Sequence, residues 1–84
     1  LKIIGINVLD RIKEANHTQD ILTRHAKIIK TRMGFHELNQ QVCSRNAFII
    51  LELQGSQEQW EALEEELNNV RGIQVQTMLF DLTN

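Results

Sequence analysis

The sequence predicts one α+β domain in which four strands and two helices alternate in the order βαββαβ. Three observations carry that expectation. Runs rich in β-branched and apolar residues recur at 2–9, 26–33, 47–54 and 73–80. An apolar stripe of helical period occupies Trp60, Leu63, Leu67 and Val70 behind a Ser56/Gln59 capping box. Glycines at 34, 55 and 72 stand at the edges of these segments.

The elements follow in order. In the first strand, Ile4, Ile6 and Val8 point one way and Ile3, Gly5 and Asn7 the other, because side chains alternate across a strand. Asp10 is placed to cap a helix over 11–25, whose inner face reads Ile12, Ala15, Thr18, Leu22 and His25. Residues 26–33 read as the second strand, ended by Gly34. Residues 35–46 show neither period and form a long inter-strand loop, beyond the usual reach of a hairpin. In the third strand, Ile49, Leu51 and Leu53 share one face and Phe48, Ile50 and Glu52 the other. Gly72 is expected to stop the second helix after Arg71 in a left-handed turn. The last strand then sets Ile73, Val75 and Leu79 inward and Met78 and Phe80 on the reverse face.

Two crossovers joined through the central hairpin give a ferredoxin-like four-stranded antiparallel sheet with both helices on one face. The helices leave the reverse face open, and Ile3, Phe48, Ile50, Met78, Phe80 and also Ile28 are expected there. Covering several hundred Å² of apolar surface is worth on the order of 10 kcal/mol before the costs of association. A patch of that size marks an interface. A homo-oligomer, dimer or tetramer, joined partly through the open sheet faces is therefore expected; scattered exposed apolar residues are the plain alternative.

Composition narrows the function. Eighty-four residues suffice for one domain, residues 1–84, and bury only about 60% of the unfolded surface. The net charge is −2, the Lys and Arg residues are scattered, and the densest run, Glu64-Glu65-Glu66, is acidic. Nucleic acid is not expected as a partner: no basic stripe is present, the first strand lacks the stacking aromatic of RNA-recognition modules, the third lacks their basic-Gly-aromatic signature, and only Phe48 could stack. No apolar run reaches the roughly 20 residues of a membrane span. The single cysteine, Cys43, excludes an internal disulfide, suits a reducing cytoplasm and rules out the Cys-x-x-Cys of heavy-metal chaperones.

Some residues remain as candidate chemistry. His36 and Cys43 on the long loop, with Glu37 beside the histidine, are donors suited to a transition metal such as zinc, nickel or copper. Two ligands need more from a partner chain, and the plainer reading is a polar loop with a solvated imidazole and a part-buried thiol. Cys43-Ser44-Arg45 is a candidate anion-binding or reactive-thiol segment. Arg32 is a candidate for a carboxylate or phosphate, and Gly34 for a positive φ and a close backbone approach; a solvated strand-end charge is the alternative. No third member of a Cys/His nucleophilic site is visible, so an enzyme is not expected. His17 and His25 read as a surface and a part-buried histidine.

The runs Ile21-Leu22, Ile28-Ile29, Thr31-Arg32-Met33-Gly34, Ile49-Ile50-Leu51 and Leu67-x-x-Val70-x-Gly72-Ile73-x-Val75 resemble the small ACT-like iron-only hydrogenase system regulators. That family is itself similar to the C-terminal, metal-binding domain of the nickel-responsive repressor. Asp10-Arg11 matches the start of the first helix in these proteins. The resemblance implies a cytoplasmic, oligomeric regulatory or ligand-sensing domain without catalysis. A ligand site at a subunit interface is expected at the first strand–helix turn (Asp10, Arg11) and the long loop (Ser44, Arg45), with Arg32 and Gly34. The chain departs from the pattern in four ways. Its loop between the second and third strands is longer and carries His36 and Cys43-Ser44-Arg45. Ile12-Lys13 replaces the glycine that follows the first Asp-Arg pair of ACT domains. The repressor's histidine ligands have no counterparts at matching positions. No ribbon-helix-helix segment precedes the first strand, so direct repression is not expected. A purely structural interaction module remains the alternative.

Overall fold

A computed structural model describes residues 1–35 and 47–82, the side chains of 11–13, 15 and 35 excepted. The elements are β1 (Lys2–Val8), α1 (Arg11–Arg24), a 3-10 turn (Ala26–Ile28), β2 (Ile29–Phe35), β3 (Ala47–Leu53), α2 (Gln57–Asn68) and β4 (Ile73–Leu79). The strands lie in the order β2-β3-β1-β4, and every neighbouring pair is antiparallel. Each crossover therefore straddles one intervening strand, which is the split βαβ arrangement expected.

Alternation decides what the helices cover. Ile4, Ile6 and Val8 of β1 face Ile49, Leu51 and Leu53 of β3, and all are buried. Above them α1 contributes Ile21 and Leu22, and α2 contributes Leu63 and Leu67, followed by Val70. Ile21 is absent from the stripe read in the sequence. That stripe stepped from Thr18 to Leu22, whereas the true inner face takes in Thr18, Ile21 and Leu22 together.

The start of α2 is as expected. The Ser56 hydroxyl accepts from the Gln59 N–H, and the Gln59 side-chain oxygen accepts from the Ser56 N–H at 2.9 Å. Trp60 packs against the core and donates its indole N–H to the Gln54 carbonyl at 3.0 Å, which fixes the exit of β3. Lys2 closes the far end of the helix layer on Glu64 at 2.7 Å.

Three details differ from the sequence reading. The exit of α1 consumes residues 26–28 in a 3-10 turn, where Ile28 donates to the His25 carbonyl at 3.1 Å and its own carbonyl accepts from Gln54. The turn swings Ile28 into the core, 5% exposed, instead of onto the open face. It also moves β2 three residues later, so Gly34 lies inside the strand opposite Ile49 and does not end it. The second helix stops at Asn68, capped by Asn69; Gly72, at φ +84°, instead turns the chain into β4. Leu79 does lie on the helix side, opposite Lys2, but is 67% exposed because neither helix covers that end of the edge strand.

Candidate functional site

The open face is built row by row from the register. One row runs Met78, Ile3, Glu52, Thr31; the next runs Gln76, Gly5, Ile50, Met33; the third runs Gln74, Asn7, Phe48, Phe35. Met33, Ile50, Met78 and Phe80 are exposed large apolar side chains, and Ile3 and Phe48 are half-buried. Met33 takes the place that the sequence assigned to Ile28, as the shift of β2 requires. Glu52 is the one charged residue in these rows, and it accepts from the Thr31 hydroxyl at 2.9 Å.

Gly5 has no side chain, so the middle of the face sinks into a trough of about 370 Å³. Phe48 and Ile50 form one wall, and the amides of Asn7, Gln74 and Gln76 form the other. Asn7 donates from Nδ2 to Gln74 Oε1 at 2.9 Å. Its Oδ1 is buried and has no hydrogen-bond partner among the described residues. The sequence offered one signal for this site: Asn7 sits among apolar and small residues on the reverse face of β1.

The Asn7 row lies at the end of the sheet where β1 turns into α1. Asp10 accepts the Glu14 N–H at 2.9 Å, the first bond of α1, and so stands at the capping position read for it. The adjacent Leu9 N–H bonds to the Gly72 carbonyl at 2.9 Å, joining this turn to the start of β4. Phe35 and Ala47, between which residues 36–46 run, end at the same side. His36, Cys43, Ser44 and Arg45 fall outside the described residues, as does the side chain of Arg11.

Arg32 lies away from this end, whereas Gly34, opposite Ile49 and one residue before Phe35, lies next to it. Arg32 pairs with Leu51 on the helix side and borders a shallow depression with Gln19, Leu22, Thr23, Ala26 and Ile29. Its row is that of Ile4, four residues or about 13 Å of strand before Val8. Gly34 has no positive φ; among the described residues only Gly55 and Gly72 do. A Cβ at Gly34 would meet nothing closer than 3.9 Å, so the close approach expected of it is not found there.

A separate polar cluster ties the helices together. Glu66 on α2 accepts from Arg24 at 2.9 Å and from His25 at 3.1 Å through the same oxygen. The Arg24 hydrogen bond, then that of His25, holds the Glu66 carboxyl below the usual carboxylate range. His17 is exposed and His25 half-buried, as the sequence suggested. No cluster of three or more His, Cys, Asp or Glu among the described residues is placed to hold a metal. No helix among them is long and apolar enough to cross a membrane.

This sheet order with both helices on one face defines an ACT-like fold. The ACT domain of prephenate dehydrogenase from Bacillus anthracis superimposes with a TM-score of 0.58 at 19% identity, over 88% of this chain and 99% of that one. A formyltetrahydrofolate deformylase from Pseudomonas putida KT2440 matches with a TM-score of 0.58 at 12% identity, over 93% of this chain and 28% of that one. The uncharacterized protein TM1266 from Thermotoga maritima matches with a TM-score of 0.79 at 26% identity, over 92% of this chain and 91% of that one. No curated protein matches. Residues 1–77 match the family described as "TM1266-like: Iron-only hydrogenase system regulator, putative", and the chain belongs to that family.

Proposed function

We propose that this protein is a non-catalytic regulatory domain that works as a homo-oligomer, its copies meeting through the open sheet face around a ligand-sized trough. The observation that supports this reading is the apolar surface of Ile3, Met33, Phe48, Ile50, Met78 and Phe80 lying opposite the helix layer. Four strands of seven residues cover roughly 400 Å² in projection. Apolar side chains fill about half of that face, which makes it a candidate interaction surface. Folding needs only the helix side to be buried, so this second apolar surface is left for association.

The trough supplies the regulatory element. Its wall of amides suits a small neutral ligand that brings hydrogen-bonding groups and an apolar body. A ligand shared by two copies stabilises one packing over another, which is how binding becomes a change of assembly. Family membership supports a regulatory role. Native mass spectrometry of untagged protein tests the reading. We expect an even number of subunits, and a monomer at micromolar concentration would overturn it.

A further inference from the structure

We propose that the outer edge of β4 is a second self-association site, where β4 pairs antiparallel with β4 of another copy and joins the two sheets into one. The inference goes beyond the face contact and rests on different groups.

Hydrogen-bond parity shows which groups are available. Phe80 and Leu1 exchange bonds of 2.8 and 3.0 Å, and Leu9 donates to Gly72 at 2.9 Å. Bonded positions recur at every second residue of an antiparallel pair. The even-numbered residues from Gly72 to Phe80 therefore face β1, while Ile73, Val75, Thr77 and Leu79 turn their N–H and C=O groups outward. Among the described residues no strand pairs with that edge.

The two edges of the sheet are not equivalent. β2 carries Lys30 and Arg32, and its register breaks between Ile29 and Thr31. Charges and bulges are the devices that keep an edge from pairing. β4 reads Ile-Gln-Val-Gln-Thr-Met-Leu, with no charge and no proline, and its register against β1 is unbroken. One edge is blunted and the other is left ready.

Leu79 points to the occupant. It is 67% exposed on the helix side of the sheet, so a partner docked on the open face leaves it in water. In a two-fold pairing centred on Gln76, every residue of β4 has a counterpart. Gln76 meets Gln76 of the second copy, Val75 meets Thr77, Gln74 meets Met78 and Ile73 meets Leu79. Leu79 then lies beside an Ile73 that is packed against the core under the helix layer of the second copy. No like charges come opposite each other.

Cross-linking tests the geometry. At the two-fold, the Gln76 pair is a non-hydrogen-bonded pair with Cα atoms about 4.5 Å apart, within disulfide reach. Gln76→Cys in a Cys43→Ser background is expected to form a disulfide-linked dimer in most chains on mild oxidation. Face-to-face sheets sit about 10 Å apart, too far for this bridge. Adding Ile50→Asp removes the face contact and is expected to leave the cross-link, so the two readings fail separately. Thr77→Pro deletes an outward N–H without touching the β1 ladder and is expected to halve the assembled mass in sedimentation. A cross-link no stronger than that of Gln57→Cys in the same Cys43→Ser background, or a folded Thr77→Pro variant of unchanged mass, overturns the proposal.

Discussion

Ile50→Asp is the sharpest test of the open-face contact. Ile50 sits mid-sheet, between Gly5 and Met33, and is 40% exposed. Full burial of an isoleucine is worth about 1.5–3 kcal/mol, so covering the part still exposed contributes about 1 kcal/mol per copy. Two-fold symmetry counts it twice, for about 2 kcal/mol per dimer. Loss of that alone raises the dissociation constant roughly 30-fold. The introduced carboxylate adds a desolvation penalty of several kcal/mol per ion, which moves dissociation out of the working range. The fold should survive the change at a cost of about 1 kcal/mol in strand propensity, because the side chain faces away from the helix layer. The assay is sedimentation velocity with a thermal melt by circular dichroism at the same concentration. A native spectrum with unchanged mass refutes the reasoning, because a carboxylate cannot sit unpaired in the centre of a dry interface.

Leu67 is fully buried, so Leu67→Ala should cost about 3 kcal/mol. That lowers the melting temperature by about 12–24 °C in a domain of this size, read by calorimetry. Gly72→Ala forces a side chain onto φ +84° with its Cβ 3.1 Å from Glu14 Cγ, and should cost about 1–2 kcal/mol in denaturant titration. Gly34→Ala, in ordinary strand geometry with 3.9 Å of clearance, should be neutral or stabilising by about 0.5 kcal/mol in the same titration. Glu66→Gln should flatten the acid limb of stability against pH. The folded carboxyl is lowered from 4.5, so its contribution is full above that value and is lost as pH falls through the folded value. The difference from wild type should shrink at about 1 M salt, because the pair is exposed.

The parts of the fold that were legible in the sequence are those written in short-range periods. Alternation in β3 and the 3-4-3 spacing of α2 each name a buried face, and Ser56 with Gln59 names a helix start. What escaped was written in geometry over longer range. The three-residue turn at 26–28 depends on α1 meeting the end of β3, where the Gln54 side chain bonds the Lys27 carbonyl at 3.1 Å. Without that contact in view, Ile28 and Ile29 look like one strand, and Met33 drops out of the open face. Gly72 carried the right backbone conformation but the wrong element, since a positive φ serves a helix stop and a strand entry equally well. The trough was illegible for a different reason. It is defined by the missing side chain of Gly5 between Ile50 and Gln76, a vacancy that three separate strands create together.

The two proposed contacts combine into one further expectation. Pairing β4 edge to edge keeps both helix layers on the same side, so its two-fold axis is perpendicular to the sheet. Packing open faces together inverts one sheet over the other, so that axis lies in the plane. Perpendicular two-folds that intersect close into a dihedral set of four copies, with no surface left to propagate a fibre. The face surrounds that centre with neutral groups, since Glu52 is the one charge in its described rows and is bonded to Thr31. An RNA-recognition module of the same topology uses this face with aromatics and cations, whereas here β1 presents Ile3, Gly5 and Asn7. Wild-type protein should therefore run as a tetramer in native mass spectrometry. Ile50→Asp and Thr77→Pro should each give dimers, and the double variant a folded monomer. A dimer that survives in the double variant would mean that a third surface holds the copies together, and neither the face nor the edge of β4 would then be the principal contact.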